Sequence, residues 1–232
     1  MAVSMNETRQ TRGERTREGI VVAATERFSE QGFDATTLAD VAADAGVSGP
    51  SVAFHFGNKD GLLAAVIERR FKLLMADIAE VTASASGPGG RLRAFMRYWV
   101  RSHEGAFVLY SAFATQGGWR QIESESGRAL RDGYRQVNAV IDRIIDDMKA
   151  QGEVREEVST RLVRDSLLGS SEWVMRGRLH SSRRPNYDRI ADEILDVVIG
   201  GAGSPPAAAE PAGDRLANIE KKIDSLIERK AR

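Results

Sequence analysis

The chain has 232 residues, of which 42% are apolar and 28% charged, enough for a buried core and against wholesale disorder. No run approaches the ~18 uninterrupted apolar residues that a membrane span needs. Its 33 basic and 33 acidic side chains cancel, which speaks against a general basic coat for nucleic acid, so any such role must come from a local constellation.

Cysteine is absent, which removes disulfides, thiolate metal sites and cysteine nucleophiles. His55, His103 and His180 are too scattered for a histidine-built metal site, so neither metal nor cofactor is expected. Met1 to Arg17 is polar and arginine-bearing, without the apolar stretch of a secretory leader, so a cytoplasmic location is expected.

Strand patterning is poor and helical patterning abundant. Ile20, Ala23, Ala24, Arg27 and Phe28 predict a helix over Arg15 to Gln31, stopped by Gly32. Thr37-Leu-Ala-Asp40 has the form of a capping box and opens a short helix through Val41, Ala42 and Ala45 to Gly46. Ser48 can cap the next helix, with Pro50 in its first turn and Val52 and Phe56 along it. After Gly57, a longer helix starts at Asn58 or Asp60 and buries Leu62, Leu63, Val66, Ile67, Phe71, Leu74 and Ile78. The small residues Ala83 to Gly90 read as a loop.

Further helices are predicted over Arg91 to Ser102, Ala106 to Thr115, Trp119 to Ala150, Ser159 to His180 and Asn186 to Ile199. The stripe assigned to the Ser159 helix is Leu162, Ser166, Gly169, Trp173 and Leu179. Gly200 to Gly213 is a Gly/Pro/Ala linker, and Asp214 to Arg232 returns to helix. The fold class is therefore all-α. It comprises an N-terminal arm (1–12), a small three-helix unit (13–60), a larger helical bundle (61–199), a linker (200–213) and a terminal helix (214–232).

The informative stretch is Val41 to Val52. Two short helices meet at a tight turn where Ala42 permits close crossing and Gly46 takes positive φ. Val41, Val47 and Val52 fill the wedge between them. This is the sequence form of a helix-turn-helix, whose second helix enters the major groove. An ordinary helical corner would share the pattern.

Gly32-Phe-Asp-Ala-Thr-Thr-Leu-Ala-Asp-Val-Ala, then Ala-Gly-Val-Ser, then Phe54-His-Phe-Gly-Asn-Lys-Asp-Gly-Leu-Leu63 resembles the DNA-binding domain of the TetR family of transcriptional regulators, over about residues 12–67. The resemblance implies phosphate contact by Thr36 or Thr37, backbone contact by His55 and Lys59, and base reading at the leading end of the second helix by Ser48, Gly49, Pro50 and Ser51. Two departures stand out. Gly49 and Pro50 replace the family's common Lys-Gly, and Ala53 replaces its common Tyr. Residues 1–60 also hold six basic and nine acidic side chains, a net −3, so non-specific attraction to DNA should be weak. Arg9, Arg12, Arg15 and Arg17 either reach phosphates or a minor groove or form a solvated tail. Apolar contact of Pro50, Ala53 or Phe54 with thymine methyls is the expected mode of readout.

In the second block, Phe95, Trp99, His103, Tyr110, Phe113, Tyr134, Trp173 and Arg176 are candidate walls of an effector pocket, or simply core. The resemblance implies a small, mostly apolar ligand there and a dimer face on the helices near 159–180 and 186–199. In the tail, Leu216, Ile219, Ile223 and Leu226 form a heptad seam suited to self-pairing, docking on the body, or a partner. No Gly-x-Ser-x-Gly, His-Glu-x-x-His or phosphate-loop motif points to an enzyme. The expected function is a homodimeric repressor that binds palindromic double-stranded DNA and is released by a small-molecule effector. The alternative is a protein-interaction module acting through its C-terminal helix without ligand control.

Overall fold

The computed structural model describes residues 12–103, 123–178 and 185–202. Among these residues every element is a helix: α1 (Arg12–Gln31), α2 (Leu38–Asp44), α3 (Gly49–Phe56), α4 (Lys59–Ala83), α5 (Gly87–Ser102), α6 (Glu125–Ala150), α7 (Thr160–Arg178) and α8 (Tyr187–Ala202). The helix expected over Ala106 to Thr115, the start of the one expected from Trp119, and the C-terminal helix lie outside the described residues. No helix among the described residues is long and apolar enough to cross a membrane.

Helices α1 to α3 close on Ile20, Ala24, Phe28, Val41, Val52 and Phe56, all buried. From there α4 runs into the larger bundle, where it packs on α5 and α6, while α8 packs against α5 and α7. The same buried cluster continues through Phe71, Leu74 and Ile78 of α4, Phe95, Met96 and Trp99 of α5, and Val137, Ile141 and Ile145 of α6. One continuous helix, α4, therefore carries the core from the N-terminal helices into the larger bundle.

Two boundaries and one helix face differ from the sequence expectation. α5 begins at Gly87, within the expected loop: Pro88 lies in its first turn, and the Glu153 carboxylate occupies the space that a Cβ on Gly89 would fill. α8 continues through Gly200 and Gly201 to Ala202, past the expected linker start. Arg155 holds that end, donating from its backbone N–H to Ala202 O (3.1 Å) and from its guanidinium to Gly201 O (3.1 Å). On α7 the buried face is Val163, Leu167, Ser171 and Met175, so the expected stripe of Leu162, Ser166, Gly169 and Trp173 is not the core face.

Arg93, Arg97 and Arg101, one helical turn apart on α5, meet Asp192 and Asp188, one turn apart on α8, at 2.6 to 2.8 Å. The arginines hold the Asp192 carboxyl below its ordinary range, Arg97 foremost. These pairs are largely exposed. They set the register of the two helices more than they stabilise the fold.

Candidate nucleic-acid interface and aromatic core

Local sequence builds the α2–α3 corner as its residue types require. The Thr37 and Asp40 backbone N–H groups each donate to the other residue's side chain (2.9 and 3.2 Å), completing the expected capping box. Gly46 has φ +64°, the left-handed turn between the helices. Ser48 caps α3 by accepting from the Ser51 N–H at 3.4 Å, and Val52 and Phe56 point inward. Val41 and Ala42 are buried beneath the crossing, and Val47 packs on the same core.

The outward side of α3 carries Ser48, Gly49, Pro50, Ala53 and Phe54, all exposed; Phe54 is 85% exposed. Ser51 and His55 are half-buried, and the His55 ring lies between those of Phe54 (5.3 Å) and Phe56 (6.0 Å).

The two threonines are placed differently from the expectation. Thr36 is 1% exposed and its hydroxyl donates to Gly32 O at 2.9 Å, so it closes the α1–α2 connection instead of facing a phosphate. Thr37 is exposed, but its hydroxyl donates to Asp40 Oδ2 at 2.6 Å and accepts the Asp40 N–H. Those bonds from Thr37 hold the Asp40 carboxyl below its usual range, so the would-be anion position already borders a carboxylate.

Three cations of this unit are engaged as well. Lys59 Nζ donates to Asp34 O (3.1 Å) and lies 4.4 Å from the Phe33 ring centre. Arg27 forks onto Asp44 with two bonds of 2.6 Å. Arg17 stacks over Phe56 at 5.1 Å.

The junction of α3 with the body was not visible in sequence. Asn58 caps α4 by accepting from the Asp60 and Gly61 N–H groups (2.9 and 3.0 Å). Asp60 then reaches across to the first turn of α6, accepting from the Glu125 N–H (2.9 Å), the Ser126 N–H (3.4 Å) and the Ser126 hydroxyl. A Cβ on Gly61 would stand 2.2 Å from the Phe56 carbonyl oxygen, so only glycine lets α4 back directly onto the end of α3. The end of the outward helix and the start of α6 are thus joined through two consecutive residues.

Of the candidate pocket residues, Phe95, Trp99, His103 and Tyr134 come together. Trp99 stacks on Phe95 (6.0 Å) and meets His103 (5.0 Å) and Tyr134 (6.2 Å) edge-on, and its indole N–H donates to Ser171 Oγ at 3.1 Å. Phe71, expected in the sequence as core, completes this cluster with Ser171 and Gly133, which carried no sequence signal. Trp173 does not join it: the side chain is 77% exposed on the outer face of α7, because Ser171 and Met175 hold the inner one. Tyr110, Phe113 and the side chain of Arg176 lie outside the described residues.

His103 ends α5 with Nδ1–H donating to Trp99 O at 2.7 Å, since a carbonyl can only accept. Burial depresses its pKa below the ordinary 6.5; the Trp99 carbonyl and Glu172 act the other way, and Arg70 reinforces the depression. The folded protein therefore keeps this imidazole neutral at pH values where the unfolded chain protonates it. Its contribution to stability is present above pH 6.5 and is lost as pH falls toward the depressed value. Thermal unfolding should show Tm decreasing from about pH 7.5 to about pH 5.5, with a shallower decrease in His103→Gln. Equal slopes in the two proteins would show that another group governs this window.

Among the described residues no group of three or more His, Cys, Asp or Glu side chains can hold a metal ion. Comparison with known proteins places the corner described above within a known pattern: residues 20–66 match the family model of bacterial regulatory proteins of the tetR family. The chain is 25% identical over 199 residues to the HTH-type transcriptional repressor KstR2 of Rhodococcus jostii (strain RHA1), covering 83% of this chain and 93% of that one. In fold it resembles the transcriptional regulator FadR from Bacillus subtilis in complex with stearoyl-CoA, with TM-score 0.67, 19% identity, and coverage of 79% of this chain and 98% of that chain. It also resembles AibR in complex with isovaleryl coenzyme A and operator DNA, with TM-score 0.61, 19% identity, and coverage of 78% and 97%.

Proposed function

We propose that the chain is a transcriptional regulator of the tetR family, whose model its residues 20–66 match, and that it acts as a homodimeric repressor. Two copies present their α3 helices to a palindromic operator, and a small, mostly apolar effector lowers the affinity. The observation that carries this reading is α3 itself: eight residues, capped at both ends, with Val52 and Phe56 anchoring it and Pro50, Ala53 and Phe54 projecting into solvent.

Ser48, Gly49, Pro50, Ser51, Ala53, Phe54 and His55 form the proposed DNA-facing set, flanked by Thr37 and Lys59. Bending the Lys59 amine from Asp34 O toward a phosphate would need only side-chain motion. Phe95, Trp99, His103 and Tyr134 form the proposed effector region. An effector that spreads these rings must displace α4 or α6, and the Asp60 bonds transmit that displacement to the end of α3.

The relatives suggest the first effectors to try. FadR was solved with stearoyl-CoA and AibR with isovaleryl coenzyme A, so acyl-CoA thioesters of graded chain length form the test panel. The experiment is selection from a randomised duplex library with the purified full-length chain, followed by displacement with that panel. An enriched sequence with dyad symmetry is expected. Enrichment of none, or of an asymmetric single site, removes the repressor reading.

The electrostatics add a measurable consequence. With Arg27 paired to Asp44 and residues 1–60 carrying six basic against nine acidic groups, few phosphates can be neutralised. The slope of log affinity against log salt should be shallower than about −4, equivalent to about four phosphate neutralisations per dimer. Fluorescence anisotropy over a salt titration measures it; a slope near −8 would mean that the arginines of the N-terminal arm dominate binding.

A further inference from the structure

We propose that α3 reads its half-site through thymine 5-methyl groups, with Phe54 as the specificity-determining residue. The inference rests on the operator-binding reading above and adds what the operator must contain.

Its basis is a chemical inventory of the exposed helix. A guanine edge is read by the paired donors of Arg or Lys, an adenine edge by the carboxamide of Asn or Gln, and the cytosine amine by Asp or Glu. Gly49 to Phe56 contains none of these residues. Its polar side chains are Ser51 and His55, both half-buried, with His55 wedged between two phenyl rings. Ser48 ahead of it accepts the helix cap and keeps a single hydroxyl proton, which cannot form the paired contact that distinguishes a base edge.

What the helix does expose is apolar. Pro50, Ala53 and Phe54 stand at i, i+3 and i+4, hence on one face, opposite the buried Val52 and Phe56. An exposed phenyl ring on a short helix contributes nothing to the core. In a major groove it meets one apolar feature of the base edges, the C5 methyl of thymine. Ala53, lacking bulk, lets the helix approach closely enough for the neighbouring ring to reach it.

The test starts from the duplex enriched by the full-length chain. Deoxyuridine is substituted for thymidine at one symmetric pair of positions at a time, which deletes the methyl and leaves every hydrogen-bonding group in place. At one or two positions per half-site, affinity should fall about fifteenfold, from about fourfold per lost methyl contact in each of two half-sites. In Phe54→Ala the thymine-to-uracil ratio at the most sensitive position should fall to within about twofold, while Phe54→Leu retains part of it. An enriched duplex bound equally with thymine and uracil at every position overturns this inference and leaves the repressor reading standing. A wild-type ratio in Phe54→Ala reassigns the contact and overturns the role given to Phe54. Absence of any enriched sequence removes the parent reading and this one together.

Discussion

In the proposed homodimer, Trp173→Asp should abolish pairing without unfolding the chain. In the single chain this indole is 77% exposed and Leu162, on the same face of α7, is 64% exposed. Ser166 and Gly169 lie between them at the spacing of one helical stripe, and a Cβ on Gly169 would meet nothing within 4 Å. A tryptophan flanked by small residues is the composition of an interface anchor with room for a close-approaching partner helix. In a two-fold interface the substitution acts twice. At about 2 kcal/mol for each tryptophan, the dimer dissociation constant should rise about a thousandfold. Sedimentation velocity measures this directly, while an unchanged helical circular dichroism spectrum shows that the chain remains folded. Operator affinity should fall by at least about a hundredfold, because each α3 then binds alone. A variant that stays dimeric would place the interface on another face.

Gly133→Ala should destabilise the fold by about 2 kcal/mol, although alanine is the better helix former. A Cβ at this position would lie 2.2 to 2.5 Å from three atoms of the Phe71 ring, which is itself 3% exposed and held edge-on to Tyr134 at 5.5 Å. Overpacking of a closed core costs up to about 3 kcal/mol, and the gain in helix propensity returns about 1. For a chain of this size the net loss lowers Tm by about 4 to 8 °C. Phe71→Leu removes the ring edge that the new methyl strikes, so the double variant should be less destabilised than the sum of the two single ones. Strict additivity would show that the ring can move aside freely, contrary to its packing.

These cases also show where sequence reasoning was informative. The N-terminal unit is built of short helices, and each boundary is written in local chemistry: Thr37 with Asp40, Gly46, Ser48, Gly57 with Asn58. Caps and positive-φ glycines act within a few residues, so no tertiary knowledge is needed to find them. The phase of α7 was a different problem. Both Leu162–Trp173 and Val163–Met175 are spaced as apolar stripes, and the more aromatic of the two faces outward. A helix serving two surfaces has no single hydrophobic direction for periodicity to find. Gly87 to Gly90 read as a loop because intrinsic propensity is poor there, and tertiary packing overrode it.

In the candidate site, residue types that announce chemistry were easy to select and their surroundings were not. Phe54 and His55 could be placed on α3 from spacing alone. The burial of Thr36, the engagement of Thr37 by Asp40, and the reach of Asp60 across 65 residues of sequence to Glu125 are products of the fold. Trp99 was recognisable as a large apolar group. Its contacts with Phe95 and His103 follow the four-residue spacing along α5, whereas those with Tyr134 on α6 and Ser171 on α7 join helices distant in sequence and could not be read there.

The pairing of Arg27 with Asp44 and the acidic surplus around it have a consequence for how such a molecule would search a chromosome. Sliding depends on a loose cationic hold on any stretch of duplex, and a reading head with an acidic surplus lacks that grip. Encounters end quickly unless the matching site is underneath, so the target is reached by repeated short visits through the surrounding solution. Fewer copies are then sequestered on irrelevant DNA, and occupancy of the correct site follows the number of molecules in the cell more closely.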